Sequence, residues 1–367
     1  MVSPSASRQQ EKRGVAAKVD EFQRRHPVVS MPIAVVYKYL DDGGSSLAAL
    51  ITYFGFVSLF PLLLLASTVL GLVLVGYPDL QERIVDSAVS QLPVVGQDLG
   101  RPEQIGGGLT GLLIGTLGAL YGGMGVAQAV QNASQTAWAV PRNQRPNPVS
   151  ARVRSVILLV VIGVDVIATS ILASLVGRAS FLGPVASLTA IAGALLIHSA
   201  TFAFVFRLSS GRDLSWVQVR PGAIMAAVLW LALQYVGVAY VGRSVESSSA
   251  TNGVFAVVLG LLAFLYLVSI AVVMSIELNV VLANQLHPRA LLTPFTDNVE
   301  LTRADERSYE NLAKAQQLKG FQSISVEFDK TDEGPGTGDS EEETNGSDAA
   351  DLGPDGTVGD NEPRQSG

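Results

Sequence analysis

The sequence predicts an all-α integral membrane protein: a bundle of six transmembrane helices with N- and C-termini cytoplasmic, followed by a disordered acidic C-terminal tail. Three observations carry that prediction. Residues 47–76 read LAALITYFGFVSLFPLLLLASTVLGLVLVG without one ionisable side chain, and about 20 apolar residues suffice to cross a hydrocarbon core. Only 16% of the 367 residues are charged, where soluble domains hold about 25%. Finally, nineteen of the Lys and Arg residues in 1–326 fall in segments on one side of the predicted bundle and four on the other. The positive-inside rule assigns the richer side to the cytoplasm.

Residues 1–46 form a cytoplasmic basic arm and an interfacial helix. The arm carries Arg8, Lys12, Arg13, Lys18, Arg24 and Arg25, suited to anionic headgroups. It lacks the apolar stretch of a cleavable signal peptide, so the first span acts as an uncleaved anchor. Residues 31–40 (MPIAVVYKYL) are apolar but too short to span, and Asp41-Asp42-Gly43-Gly44 stops them. They read as a helix lying on the inner surface or as a lead-in to the first span.

The transmembrane domain covers 47–284, with spans at about 47–76, 105–127, 153–176, 185–206, 221–241 and 253–283. Pro61 interrupts the first span, where it removes one backbone donor. The loop 77–104 places Leu80, Ile84, Val85, Ala88 and Leu92 on one helical face, as a surface helix would. In the second span Gly107, Gly111 and Gly115 recur every four residues, as do Gly118 and Gly122. Such spacing brings helix backbones into close packing; a flexible gate is the other reading. Residues 285–326 form a cytoplasmic segment with a modest helix over 301–318. The tail, 327–367, holds thirteen acidic side chains against Lys330 and Arg364, and has too little apolar content to fold alone.

An ionisable side chain inside a span is costly, and a functional candidate for that reason. Asp165, His198 and Glu277 qualify, with Gln234 as a neutral companion. At about 1.5 Å of rise per residue, Asp165 and His198 lie on consecutive antiparallel spans at depths about 6 Å apart. A direct or water-bridged contact is therefore allowed, and such a pair could bind a cationic group or relay protons. The plainer reading is that these polar groups hold helices together. Glu277, shallower, suits a structural or gating role.

No enzyme signature is present, and no catalytic residue, cofactor or metal is assigned. The chain has no cysteine, which excludes disulfides and thiolate zinc sites. His26, His198 and His287 are scattered, without carboxylates at ligand spacing. Phosphate-binding and nucleophile-elbow motifs are missing. The basic stretches adjoin spans and lack interleaved aromatics, so they are not nucleic-acid surfaces. Membrane lipids are the expected partners. A homo-oligomer, and cytoplasmic proteins recruited by the tail, are further expectations.

Several motifs carry a resemblance: Asp41-Asp42-Gly43, Tyr53-Phe54 with Ser58-Leu59-Phe60-Pro61, Gln128, Asn132 and Ala137-Trp138, Arg220-Pro221-Gly222-Ala223, and Glu277-Leu278-Asn279. Over residues 15–290 the chain resembles the YihY/BrkB group of bacterial inner-membrane proteins, its YhjD-like branch included. It departs from that group in Thr251-Asn252-Gly253, where an aromatic–Gly pair is common, and in Phe264, where Trp is common. The resemblance implies six spans in the bacterial cytoplasmic (inner) membrane. It also implies an envelope role, with export of a lipid or other envelope component as one suggestion. A ribonuclease label attached to some members finds no support in these residues. A transporter and a non-transporting scaffold for cytoplasmic partners are the two readings that stand.

Overall fold

Long apolar runs bounded by prolines, glycines and polar caps become helices, and little else is needed to explain the elements. The structure, a computed structural model, describes residues 20–23, 25–73, 108–178, 184–246, 250–291, 293 and 299–328. Most of the basic arm, the expected surface helix within 77–104, Gly107 and nearly all of the acidic tail lie outside these residues.

Between residues 27 and 314 the described chain orders eight α-helices: α1 (Pro27–Asp41), α2 (Gly44–Val73), α3 (Gly108–Ala137), α4 (Pro148–Arg178), α5 (Pro184–Ser209), α6 (Trp216–Glu246), α7 (Ala250–Ala283) and α8 (Arg303–Lys314). Six of them, α2 to α7, are long and apolar enough to cross a membrane. The polar boundaries are legible residue by residue. Gly43, at φ +66°, turns the chain between α1 and α2, a conformation that side chains with a Cβ rarely adopt. Asn147 Oδ1 accepts from Ser150 N at 2.8 Å at the start of α4. Ser215 and Gln218 exchange bonds at the start of α6, and Thr302 with Asp305 forms a capping box on α8.

In lipid, apolar burial does not drive helices together, so small residues and interhelical hydrogen bonds set the packing. The α2–α3 pair is antiparallel and glycine-lined. A Cβ on Gly115 would sit 2.9 Å from Leu65 N, one on Gly118 2.6 Å from the Pro61 ring, and one on Gly122 2.3 Å from Ser58 Cβ. Gly125 extends this face to Phe54, at 2.2 Å. Gly111 is buried on the same helix. The proline ring of α2 thus packs against a glycine of α3, where a Cβ would collide with it. Elsewhere Thr52 donates to Ser269 at 3.0 Å between α2 and α7, and Gln131 to Ser155 at 2.9 Å between α3 and α4. Each helix from α2 to α7 touches the next, and α7 returns to α2, so the six close into a ring.

Among the described residues the buried apolar side chains cluster at one end: Ile51, Trp138, Leu158, Phe206, Val219 and Ile276 are representative. Four polar segments gather over the packed end. Asp41, just before the first span, accepts from Arg289, just after the last, at 2.9 Å. Arg142 N and Asn143 N donate to the carbonyls of Ala315 and Gln317 at 3.2 Å, and Arg212 donates to Trp138 O at 3.2 Å. α1 is therefore more than a surface helix. Ala34, Val35, Lys38 and Tyr39 are buried, because this face lies against α7.

Candidate functional site

Inside the membrane-spanning region, α4 and α5 bring three polar side chains together. His198 Nδ1 lies 3.1 Å from both Asp165 oxygens, and Thr201 donates to Asp165 Oδ1 at 2.7 Å. Thr201 is one turn beyond His198 on α5, so both reach the same point on α4. The His198 ring stands edge-on to Trp230 of α6, with centroids 6.4 Å apart. The His198 and Asp165 side chains are 9% and 12% exposed, which leaves the pair nearly but not fully enclosed. With Nδ1 facing the carboxylate, a neutral imidazole keeps Nε2 as an acceptor. Protonated, it forms an ion pair with Asp165. Gln234 stands apart, on an exposed face of α6, and hydrogen-bonds none of the three. Depth along a span was readable from the sequence, but the direction of the side chain was not.

Glu277 belongs to a second cluster at the packed end. It is fully buried, and its nearest cation among the described residues is Lys38 Nζ at 3.6 Å. Lys38 also bonds Asp42, one turn further along the chain, and donates to Ala137 O at 3.2 Å. One ammonium thus faces two carboxylates in a buried layer. Burial works to lower the Lys38 pKa, but the Glu277 and Asp42 carboxylates outweigh it and hold the ammonium above its ordinary value. Burial pushes the Asp42 carboxyl up, against the pull of Lys38. Two residues beyond Glu277, Asn279 accepts from Gly222 N at 2.7 Å. A Cβ on Gly222 would come 2.0 Å from Ser275 O. The Arg-Pro-Gly-Ala and Glu-Leu-Asn motifs therefore meet as one contact between α6 and α7.

Sequence reasoning left Lys38, Asp42 and Thr201 out of the site. The four-residue spacing of Lys38 and Asp42 was a visible signal, as was the three-residue spacing of His198 and Thr201. A third polar knot, also unread, locks the connector face. Buried Arg289 pairs with Asp305 and donates to Ser308 at 3.2 Å, with its guanidinium 5.4 Å from the Tyr309 ring. Asp41 and Asp305 hold its pKa high despite burial. Among the described residues, no group of three or more His, Asp or Glu converges as metal ligands would.

A ring of six membrane-length helices with an enclosed Asp–His–Thr set defines a multi-pass membrane protein. The profile of the family described as Virulence factor BrkB matches residues 35–298, which is well over half of the chain. The chain belongs to that family. It is similar to inner membrane protein YhjD of Escherichia coli (strain K12), 26% identical over 273 residues that cover 67% of this chain and 79% of that protein. It is also similar to an uncharacterized protein of Dickeya dadantii (strain 3937), 24% identical over 268 residues, covering 66% and 80% respectively. No solved structure matches it.

Proposed function

We propose that this chain is an inner-membrane permease, inserted with both termini in the cytoplasm, that exports a lipid or another envelope component. The observation that carries this reading is the Asp165–His198–Thr201 set between α4 and α5. An aspartate in hydrocarbon is expensive enough to need a reason, and two polar neighbours from a single helix make a site rather than a stray contact. The Lys38–Asp42–Glu277 layer then acts as the closed gate.

The test is transbilayer movement of fluorescent phospholipid in proteoliposomes. The wild type accelerates it, while Asp165→Asn and His198→Ala reduce the rate at least tenfold with unchanged reconstitution. Equal rates for wild type, variants and empty vesicles overturn the permease reading. They would leave the scaffold, for which removal of residues 327–367 must abolish capture of a cytoplasmic partner.

A further inference from the structure

The packed end of the bundle holds a second feature, separate from the Asp165 set. Where α4 begins and α5 ends, a 190 Å³ pocket is lined by Arg154, Arg207, Arg212, Asp213 and Phe204, among others. Arg154 donates to Leu208 O at 3.4 Å, Arg207 to Leu214 O at 2.9 Å and Arg212 to Trp138 O at 3.2 Å. Each of these bonds uses one of a guanidinium's five N–H groups. Among the described residues no carboxylate pairs with any of the three arginines, Asp213 included. Three cations therefore share one concavity with a single acid.

Their placement says what would neutralise them. Phe204, one turn deeper on α5, is 37% exposed, and Trp216, at the start of α6, is 44% exposed. The Arg207 guanidinium stacks 4.9 Å from the Trp216 ring centroid, which fixes its plane. An exposed Trp such as Trp216 marks the level of the headgroups. Planar guanidiniums with free paired N–H groups match phosphate oxygens, and basic pockets between spans on the cytoplasmic side hold anionic headgroups. We infer that Arg154, Arg207 and Arg212 form a binding site for the phosphodiester headgroup of an anionic phospholipid. The site takes the phosphate between the arginines and lays the first acyl carbons along Phe204. It does not depend on transport, so it stands or falls apart from the permease reading.

The experiment measures lipid binding to the detergent-solubilised full chain by native mass spectrometry, with phosphatidylglycerol, phosphatidylcholine and inorganic phosphate as probes. Phosphatidylglycerol is expected to bind at least tenfold more tightly than phosphatidylcholine. Arg212→Gln should weaken it at least fivefold, and Arg154→Lys/Arg207→Lys, which keeps the charge and loses the fork, should weaken it measurably. Arg220→Gln, at an exposed arginine outside the pocket, should leave it unchanged. Equal binding of the two lipids overturns the proposal, as does full retention in the pocket variants. Displacement of phosphatidylglycerol by millimolar inorganic phosphate also overturns it, by making the site one for a free anion.

Discussion

Lys38 shows how much one side chain can hold in place. Its ammonium serves Asp42, Glu277 and the end of α3 together, and all four groups are cut off from water. Removing one partner of a buried ion pair costs about 3–5 kcal/mol, because the remaining charges stay buried and unpaired. Lys38→Met is therefore expected to lower the melting temperature steeply in detergent. Lys38→Met/Glu277→Leu should recover part of the loss, since it removes a stranded carboxylate as well. A double variant no more stable than the single one would show that Glu277 does not depend on Lys38. The same scale explains which site residues the sequence revealed. Asp165, His198 and Glu277 stand out because charge is rare within apolar runs. Lys38 does not, because it sits in a short segment that reads as interface and its partner is more than two hundred residues away. Gln234 was grouped with Asp165 on depth alone, and the structure turns it outward.

Among the elements, the α2–α3 pair depends most directly on composition. Gly115, Gly118, Gly122 and Gly125 face successive turns of α2, from Leu65 back to Phe54. Gly122→Leu drives a side chain into the Ser58 backbone and should separate the two helices, at about 1–3 kcal/mol or more. Gly55, where a Cβ meets nothing within 4 Å, is the matched control. Gly55→Ala should be neutral or stabilising by up to about 1 kcal/mol, from helix propensity alone. A melting series on both variants checks the contrast, and equal effects would deny that backbone approach sets this interface. The four-residue glycine spacing was legible in the sequence. Its true face was not, because it runs in alternating steps of three and four that only a partner helix can select.

For the molecule as a whole, the ring brings the flanks of the first and last spans into contact through Asp41 and Arg289. Both flanks therefore lie on one side of the membrane, as an even number of spans requires. The basic connectors at 142–154 and 207–220 sit at that same end, which leads us to expect it in the cytoplasm. The chain has no cysteine, so single engineered ones report without background. A cysteine at Asn143 should react with an impermeant maleimide only after the membrane is opened, and one at Ser87 should react in intact cells. The reverse pattern would invert the topology and, with it, the direction of export.

The sequence alone determined the number and type of the spans, because crossing hydrocarbon demands long apolar helices whatever their neighbours are. It also exposed the charged residues in those spans, since each one breaks an otherwise uniform composition. Which faces turn inward was decided only by the tertiary structure. A helix in lipid is apolar toward its surroundings as well as toward its partners, so its periodicity carries no sign of the inner side. The pairing of Lys38 with Glu277, the closure of α7 onto α2 and the grouping of three arginines around one pocket all follow from contacts between distant segments, and no local pattern encodes them.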